Sequence, residues 1–205
     1  MNPEAQNHWN RVYTTKATDA VSWYQTQPRN SLELIAAANL ASDAPIIDVG
    51  GGASVLVDCL LDAGHTALCV LDISGAALDA ARKRLRARAG SVRWIEADVR
   101  EFDPPQRYDL WHDRAAFHFL TDAGDRAAYV ATVRRSLNPR GHVVVATFAL
   151  DGPPRCSGLN VAHYDAQLLH AEFGAGFELL DSRREMHTTP NGSEQSFTWA
   201  HLQLR

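Results

Sequence analysis

The chain is poor in the features that mark the specialised classes of protein. Its 205 residues include three cysteines. Cys59 and Cys69 sit in apolar runs and Cys156 is left odd, so no disulfide framework is expected and a reducing cytoplasm fits best. Positive charge is not in excess: 20 Lys+Arg against 24 Asp+Glu give a formal charge of −4. That leaves no broad basic surface to hold a nucleic-acid backbone by counterion release. Long apolar runs are missing too. The longest, such as Val143 to Leu150, fall far short of the roughly 20 residues a membrane helix requires. The start, Met1-Asn2-Pro3-Glu4, has neither the basic residues nor the apolar run of a secretory leader. No repeat or low-complexity tract is visible. What remains is an ordinary composition, 45% hydrophobic and 21% charged, which reads as one soluble domain over residues 1–205. A core of this length buries roughly 70% of the unfolded chain's surface, so no structural metal is required. Association is left as monomer or homodimer.

After residue 44, short β-branched apolar runs alternate with stretches of helical spacing, the pattern of an α/β fold. The expected strands are 45–49, 67–72, 91–95, 108–111 and 141–148. Their continuous apolarity indicates a parallel sheet covered on both faces. Helices are expected at about 54–63, 75–88 and 123–137. Beyond Phe148 a Gly/Pro-rich stretch precedes a short helix at about 165–173. Two further strands, 177–184 and 196–204, flank Pro190-Asn191-Gly192, a strong hairpin turn. The first 44 residues hold two helices. One runs from Pro3 to about Thr14 with Asn2 as its cap. The other runs from Ser31 to about Leu40, with Asn30 and Glu33 at capping-box spacing. The chain thus divides into an N-terminal helical lid (1–44), a ligand-binding core (45–150), and a substrate-side loop with a C-terminal hairpin (151–205).

The most informative segment is Ile46-Ile47-Asp48-Val49-Gly50-Gly51-Gly52-Ala53-Ser54, a strand running through three glycines into a helix. Glycines there allow positive φ and close approach of a ligand to the main chain. A dinucleotide fingerprint would need a glycine where Val55 stands. Asp48, just before the turn, is a poor neighbour for a pyrophosphate and a good one for an ammonium group. Asp72 ends the second strand 24 positions later, near the offset at which an acid accepts from ribose hydroxyls. Asp98 follows the third strand, where a carboxylate can accept from an adenine amino group. The fourth strand brings His112, Asp113 and Arg114 to its exit.

These residues resemble the class I S-adenosylmethionine-dependent methyltransferases. The resemblance implies a doubly wound, mostly parallel seven-stranded sheet with helices on both faces and a C-terminal antiparallel hairpin. S-adenosylmethionine would be the cofactor and S-adenosylhomocysteine the product. Carried onto this sequence it implies cofactor contacts from Asp48, Gly50, Gly51, Gly52, Asp72, Ile73, Asp98, Val99 and Asp113, with Ser54 in the place of the family's usual third glycine. The N-terminal His8-Trp9-Asn10-Arg11-Val12-Tyr13 and Val21-Ser22-Trp23-Tyr24 are similar to the entry segments of two groups, the thiopurine and thiol methyltransferases and the lysine methyltransferases of elongation factors. Asp113-Arg114-Ala115-Ala116-Phe117-His118-Phe119 is nearer the thiopurine-type pattern.

Methyl transfer from a sulfonium is an in-line displacement that disperses positive charge, so a dry, aligned pocket can supply most of the acceleration. A soft anion needs only to be aimed, whereas an amine or hydroxyl wants a base such as His118 or Asp113. Trp9, Tyr13, Trp23 and Tyr24 are the expected apolar lid, Trp23 and Tyr24 toward the cofactor. Trp9, Tyr13, Arg114, His118 and Cys156 are the expected acceptor contacts. His163 and His170 lack a third ligand, so no metal site is expected. The expected activity is methylation of a small-molecule acceptor, with a soft nucleophile such as a thiol in view and neither nucleic acid nor membrane as partner. The alternatives are a protein lysine methyltransferase, a nicotinamide-dependent oxidoreductase disfavoured by Val55 and Asp48, and a cofactor-binding scaffold without turnover.

Overall fold

The computed structural model describes residues 2–205. Five strands come first in the chain: β1 (Ile46–Val49), β2 (Leu68–Asp72), β3 (Val92–Glu96), β4 (Tyr108–Arg114) and β5 (Leu137–Phe148). A small ribbon of β6 (Arg155–Cys156) and β7 (Leu159–Asn160) precedes the last pair, β8 (Phe177–Thr188) and β9 (Glu194–Leu204). Seven of them form one sheet in the order β3-β2-β1-β4-β5-β9-β8. Pairing is parallel from β3 through β5 and antiparallel at β5–β9 and β9–β8. This is the doubly wound sheet with a reversed final hairpin that the sequence pattern implies.

Every residue of β1 and β2 is buried, as continuous apolar strands between two helical layers must be. Neighbouring residues serve opposite faces. Ile46, Leu110 and Val144 join one apolar cluster, while Ile47, Trp111 and Val145 join the other, the period of two that a pleated strand imposes. The helices are α1 (Pro3–Thr15), α2 (Arg29–Ala37), α3 (Leu56–Asp62), α4 (Gly75–Leu85), α5 (Ala123–Ser136) and α6 (Ala166–Phe173). None of them is long and apolar enough to cross a membrane.

Two N-terminal expectations need correction. Asn2 does cap α1, its Oδ1 accepting from the N–H groups of Glu4 and Ala5 at 3.0 and 3.3 Å. The Asn30–Glu33 capping box does not set the start of α2, because Pro28 takes the cap position without a side-chain bond and Asn30 lies inside the first turn. Nor does α2 belong to a lid: it buries Ser31, Leu34 and Ile35, and Leu34 and Ile35 are part of the apolar core. The lid is thereby reduced to α1 and the loop of residues 16–28. The hairpin strands also run further than their apolar runs. β8 is the edge strand, and its alternating exposure admits polar residues up to Thr188. The turn between them closes with Gly192 N–H donating to the Thr189 carbonyl at 2.9 Å.

Candidate cofactor and acceptor site

The three glycines after β1 answer three different demands. Gly50 has φ +66 and Gly52 has φ +38, the left-handed region where a Cβ is strained. A Cβ on Gly50 would also lie 2.7 Å from the Cβ of Ala116, and one on Gly52 would lie 2.6 Å from Asp72 Oδ2. Gly51 makes room for its own strand's acid, since a Cβ there would meet Asp48 Oδ2 at 2.4 Å. Asp48 is buried, and its Oδ1 is 2.7 Å from His112 Nδ1. His112 Nε2 in turn is 2.9 Å from Ser31 Oγ. The helix beyond is secured by Ser54 Oγ, which accepts from Leu56 N–H at 3.1 Å, and by Arg84, which donates to the carbonyls of Ala53 and Ser54 and pairs with Asp58 at 2.7 Å.

Over this turn, along the carboxyl ends of β1 to β4, lies a cavity of about 250 Å³, the position at which open α/β sheets bind ligands. Asp98, Val99 and Arg100 border one end, and Leu71, Asp72, Ile73 and Gly50 the middle. Trp9, Tyr13, Trp23, Arg114 and Cys156 border the other end. A second, smaller hollow of about 50 Å³ is lined by Asp48, Gly50, Gly51, Trp23, Tyr24 and Arg114 among others. The sequence-expected residues thus divide. Asp72, Ile73, Asp98, Val99, Trp9, Tyr13 and Cys156 line the larger cavity, and Asp48, Gly51 and Tyr24 the smaller. Gly50, Trp23 and Arg114 line both, while Gly52 lines neither.

The two acids on the floor differ in state. Burial pushes the Asp72 carboxyl up to about 7, against the pull of the Ser74 N–H that donates to its Oδ1 at 2.8 Å, and the nearby Asp48 adds to the rise. Burial acts the same way on Asp98, but there it is outweighed. Arg100 clamps both oxygens at 2.9 and 2.6 Å and holds Asp98 below the ordinary carboxylate value. Arg100 also reaches Asp125 at 2.7 Å, so the far end of the cavity is a locked ionic cluster. Sequence reasoning passed over Arg100, although its position two residues after Asp98 is a usable signal.

Asp113 and His118 were expected to act as bases, and the structure places both outside the cavity. Asp113 is fully buried and accepts from Tyr129 Oη–H at 2.6 Å and from the N–H groups of Ala116 and Phe117 at 2.8 and 3.1 Å. It ties down the tight turn after β4, where Ala115 has φ +71. His118 is fully buried between Phe119 and Phe148, with ring centroids 4.5 and 4.7 Å away, and its Nδ1 accepts from Phe148 N–H at 3.3 Å. Burial first, and then the charge of neighbouring His163 and Arg114, pulls its pKa down to about 3. Neither residue lines either cavity.

The roof of the cavity is α1. It has no buried residue and is held by polar contacts: Asn2 N–H to Asp98 Oδ2 at 3.3 Å, Gln6 Nε2 to Glu96 Oε1 at 2.8 Å, and Asn10 Oδ1 from Ser74 Oγ at 2.8 Å. Its Trp9 packs edge-on against Trp23 and Phe119, and Tyr13 against Trp23. The aromatic lid expected from the sequence therefore assembles over the strand tips, while its polar fastenings were not foreseen.

A family model for the methyltransferase domain matches residues 46–141. The chain superposes on a structure solved in connection with the conversion of a disulfide bond into a thioacetal group during echinomycin biosynthesis, with TM-score 0.78, 15% identity, and coverage of 97% of this chain and 91% of that one. It also superposes on the N-methyltransferase NodS of Bradyrhizobium japonicum in complex with S-adenosylhomocysteine, with TM-score 0.71, 14% identity, and coverage of 95% and 97%. The matched segment, just under half of the chain, is thus similar to a methyltransferase domain, and the chain shares its fold with these structures. Two curated relatives share parts of it. Nodulation protein S of Rhizobium tropici is 30% identical over 77 residues, covering 38% of this chain and 32% of the relative. Malonyl-[acyl-carrier protein] O-methyltransferase of Anoxybacillus flavithermus is 32% identical over 104 residues, covering 50% and 38%. The match thus spans about a third of the length of these relatives. The matched part of the methyltransferase domain carries the glycine turn, Asp72, Asp98 and Arg114. The roof helix, β8 and β9 lie outside it.

Proposed function

We propose that this chain transfers the methyl group of S-adenosylmethionine to a small-molecule acceptor and releases S-adenosylhomocysteine. The observation that carries the reading is the continuous cavity from Asp98 past Asp72 and Gly50 to Trp23 and Arg114 under an aromatic roof. The residues present fit the group. Gly52 leaves free the space beside Asp72 Oδ2 that a side chain would fill, and Asp72 is a buried acceptor able to take ribose hydroxyls. Ile73 and Val99 offer apolar contact to an adenine ring, and Asp48 offers negative charge at the small hollow to an ammonium group. Bound there, S-adenosylmethionine supplies an electrophilic methyl group on a sulfonium.

The lining at the Trp23 end bears on the acceptor. Its ionisable groups among the described residues are Tyr13, Arg114 and Cys156. Burial raises the Tyr13 hydroxyl well above its ordinary value and the Cys156 thiol to about 11. Neither draws a proton from an acceptor at neutral pH. With Asp113 and His118 outside the cavity, and with Asp72 assigned to the ribose and Asp48 and His112 paired to each other, this lining favours an acceptor that arrives as a thiolate or another soft anion over a protonated amine or an alcohol. Trp9, Tyr13 and Trp23 would aim it and exclude water, in keeping with a reaction driven by alignment and desolvation.

The test is incubation of the purified chain with methyl-labelled cofactor and a cell lysate, followed by separation of protein from small molecules. Label in the small-molecule fraction is expected, and thiols should outrank amines and phenols in a defined acceptor panel. Label confined to protein bands would transfer the reading to a protein methyltransferase.

A further inference from the structure

Arg114 differs from the arginines that brace the rest of the fold. Arg84, Arg100 and Arg183 each meet carboxylates. The Arg114 guanidinium lies over the Phe197 ring, 4.6 Å from its centroid, and its Nη1 donates to the Trp23 carbonyl at 3.0 Å. Its Nε and Nη2 are buried and have no partner. The carboxylate whose charge reaches it, Glu185, accepts instead from Gln25 Nε2 at 2.9 Å and from Trp199 Nε1 at 2.8 Å. Burial draws the Arg114 pKa down to about 10, which leaves it a cation at neutral pH. A buried cation with two idle donors is costly unless something else satisfies it.

The idle pair is specific in shape. Nε–H and Nη2–H point from the same edge of the guanidinium, the fork that accepts a carboxylate side-on through two parallel bonds. Phe197 and the Trp23 carbonyl fix the plane of that fork. Its place is specific as well, because Arg114 borders both the larger cavity and the small hollow that holds Asp48.

We propose that the Nε–Nη2 edge of Arg114 is a carboxylate-binding subsite where the two cavities meet. The proposal rests on the methyltransferase reading of the site and names the anionic group that the site takes. Two sources share this chemistry. One is the amino-acid tail of the cofactor, whose ammonium would lie toward Asp48 in the small hollow. The other is an acidic acceptor in the larger cavity.

Calorimetric titration of the full chain with S-adenosylhomocysteine and with 5′-methylthioadenosine, which lacks the amino-acid tail, separates the two sources. If the cofactor supplies the carboxylate, Arg114→Gln weakens S-adenosylhomocysteine by about tenfold or more, the effect of losing a charge-assisted pair, and leaves methylthioadenosine unchanged. Arg114→Lys restores only part of the loss. If the acceptor supplies it, S-adenosylhomocysteine binds both variants as it binds the wild type. The wild-type S-adenosylhomocysteine complex then prefers phenylacetate, indole-3-acetate or decanoate to the matching amide, and Arg114→Gln erases the preference. The acid-against-amide comparison and the two-nucleoside comparison both run on wild-type protein, so they stand even if a variant fails to fold. Unchanged S-adenosylhomocysteine binding in both variants, with no acid preferred to its amide, overturns the proposal. Equal loss of both nucleosides in a folded Arg114→Gln protein also overturns it, since Arg114 would then act on the shape of the pocket. Failure of both nucleosides to bind the wild type would sink the cofactor reading beneath it.

Discussion

The state of Asp72 makes cofactor binding depend on pH in a calculable way. Burial, opposed by the Ser74 N–H and reinforced by Asp48, sets the Asp72 pKa of the free protein at about 7. On the proposed reading ribose hydroxyls donate to the ionised carboxylate, so the deprotonated form binds more tightly. With a pKa of about 7, nine-tenths of the protein is ionised at about pH 8 and only a few per cent at about pH 5.5, a difference of about 30-fold in apparent affinity, or ~2 kcal/mol. The direction follows from the raised pKa: affinity is fully present above about 7 and is lost as pH falls below it. Folding stability of the free protein runs the other way. An acid whose folded pKa is raised leaves stability intact below its ordinary pKa of 3.8 and costs it as pH rises through about 7. Ligand-induced thermal shifts should therefore grow from about pH 5.5 to about pH 8. Asp72→Asn keeps the shape but removes the charge. It should flatten the pH profile and weaken S-adenosylhomocysteine at high pH by ~1.5–3 kcal/mol, the range for hydrogen bonds to a charged group. Calorimetry at several pH values measures both effects. A wild-type affinity that stays level across this range would refute the reasoning, as would an Asp72→Asn protein that retains the wild-type slope.

Other perturbations follow from the same contacts. Asp113→Ala should leave a buried tyrosine hydroxyl and two N–H groups without an acceptor and lower unfolding stability in urea by ~2–5 kcal/mol. A loss of turnover at unchanged stability would return Asp113 to the chemistry. Asn10→Ala removes the contact of α1 with Ser74, so S-adenosylhomocysteine should bind ~1 kcal/mol more weakly and dissociate faster in stopped-flow traces; an unchanged off-rate would mean that the roof is held elsewhere. Gly50→Ala puts a Cβ at positive φ and 2.7 Å from Ala116, and it should abolish measurable cofactor binding while the protein remains folded by circular dichroism. Wild-type affinity in this variant would place the ligand away from the turn. His118→Gln should leave the pH profile of turnover unchanged, because a histidine whose pKa burial draws down to about 3 stays neutral throughout the working range.

The sheet was legible because its strands are apolar on both faces, so β1 and β2 stand out as unbroken runs with polar punctuation at their tips. The two acids on the cavity floor were legible for the same reason. A carboxylate at the end of a parallel strand lies at the ligand edge of the sheet, and Asp72 and Asp98 are both found there. Asp113 also stands at a strand exit, yet it turns to the N–H groups of Ala116 and Phe117. The tight turn that makes this possible depends on Ala115 at positive φ, which its residue type does not announce. His118 shows the same limit. Its sequence neighbours Phe117 and Phe119 suit a core or a lid equally, and only the packing of Phe148 decides between them. The bonds that fasten α1 join residues 64 to 96 positions apart, a separation at which neither spacing nor composition carries a signal. The open fork of Arg114 escaped for a related reason, since it depends on how the loop of residues 16–28 folds over β4.

On the proposed reading, the strand tips of β1 to β3 and the glycine turn hold an adenosyl group under α1. A crystal structure of the chain grown with S-adenosylhomocysteine tests it most directly. Adenine is expected beside Asp98 and Val99, ribose hydroxyls on Asp72, and sulfur at Gly50 facing Trp23. An empty cavity in fully occupied crystals, or the nucleoside bound on another face of the sheet, would contradict it.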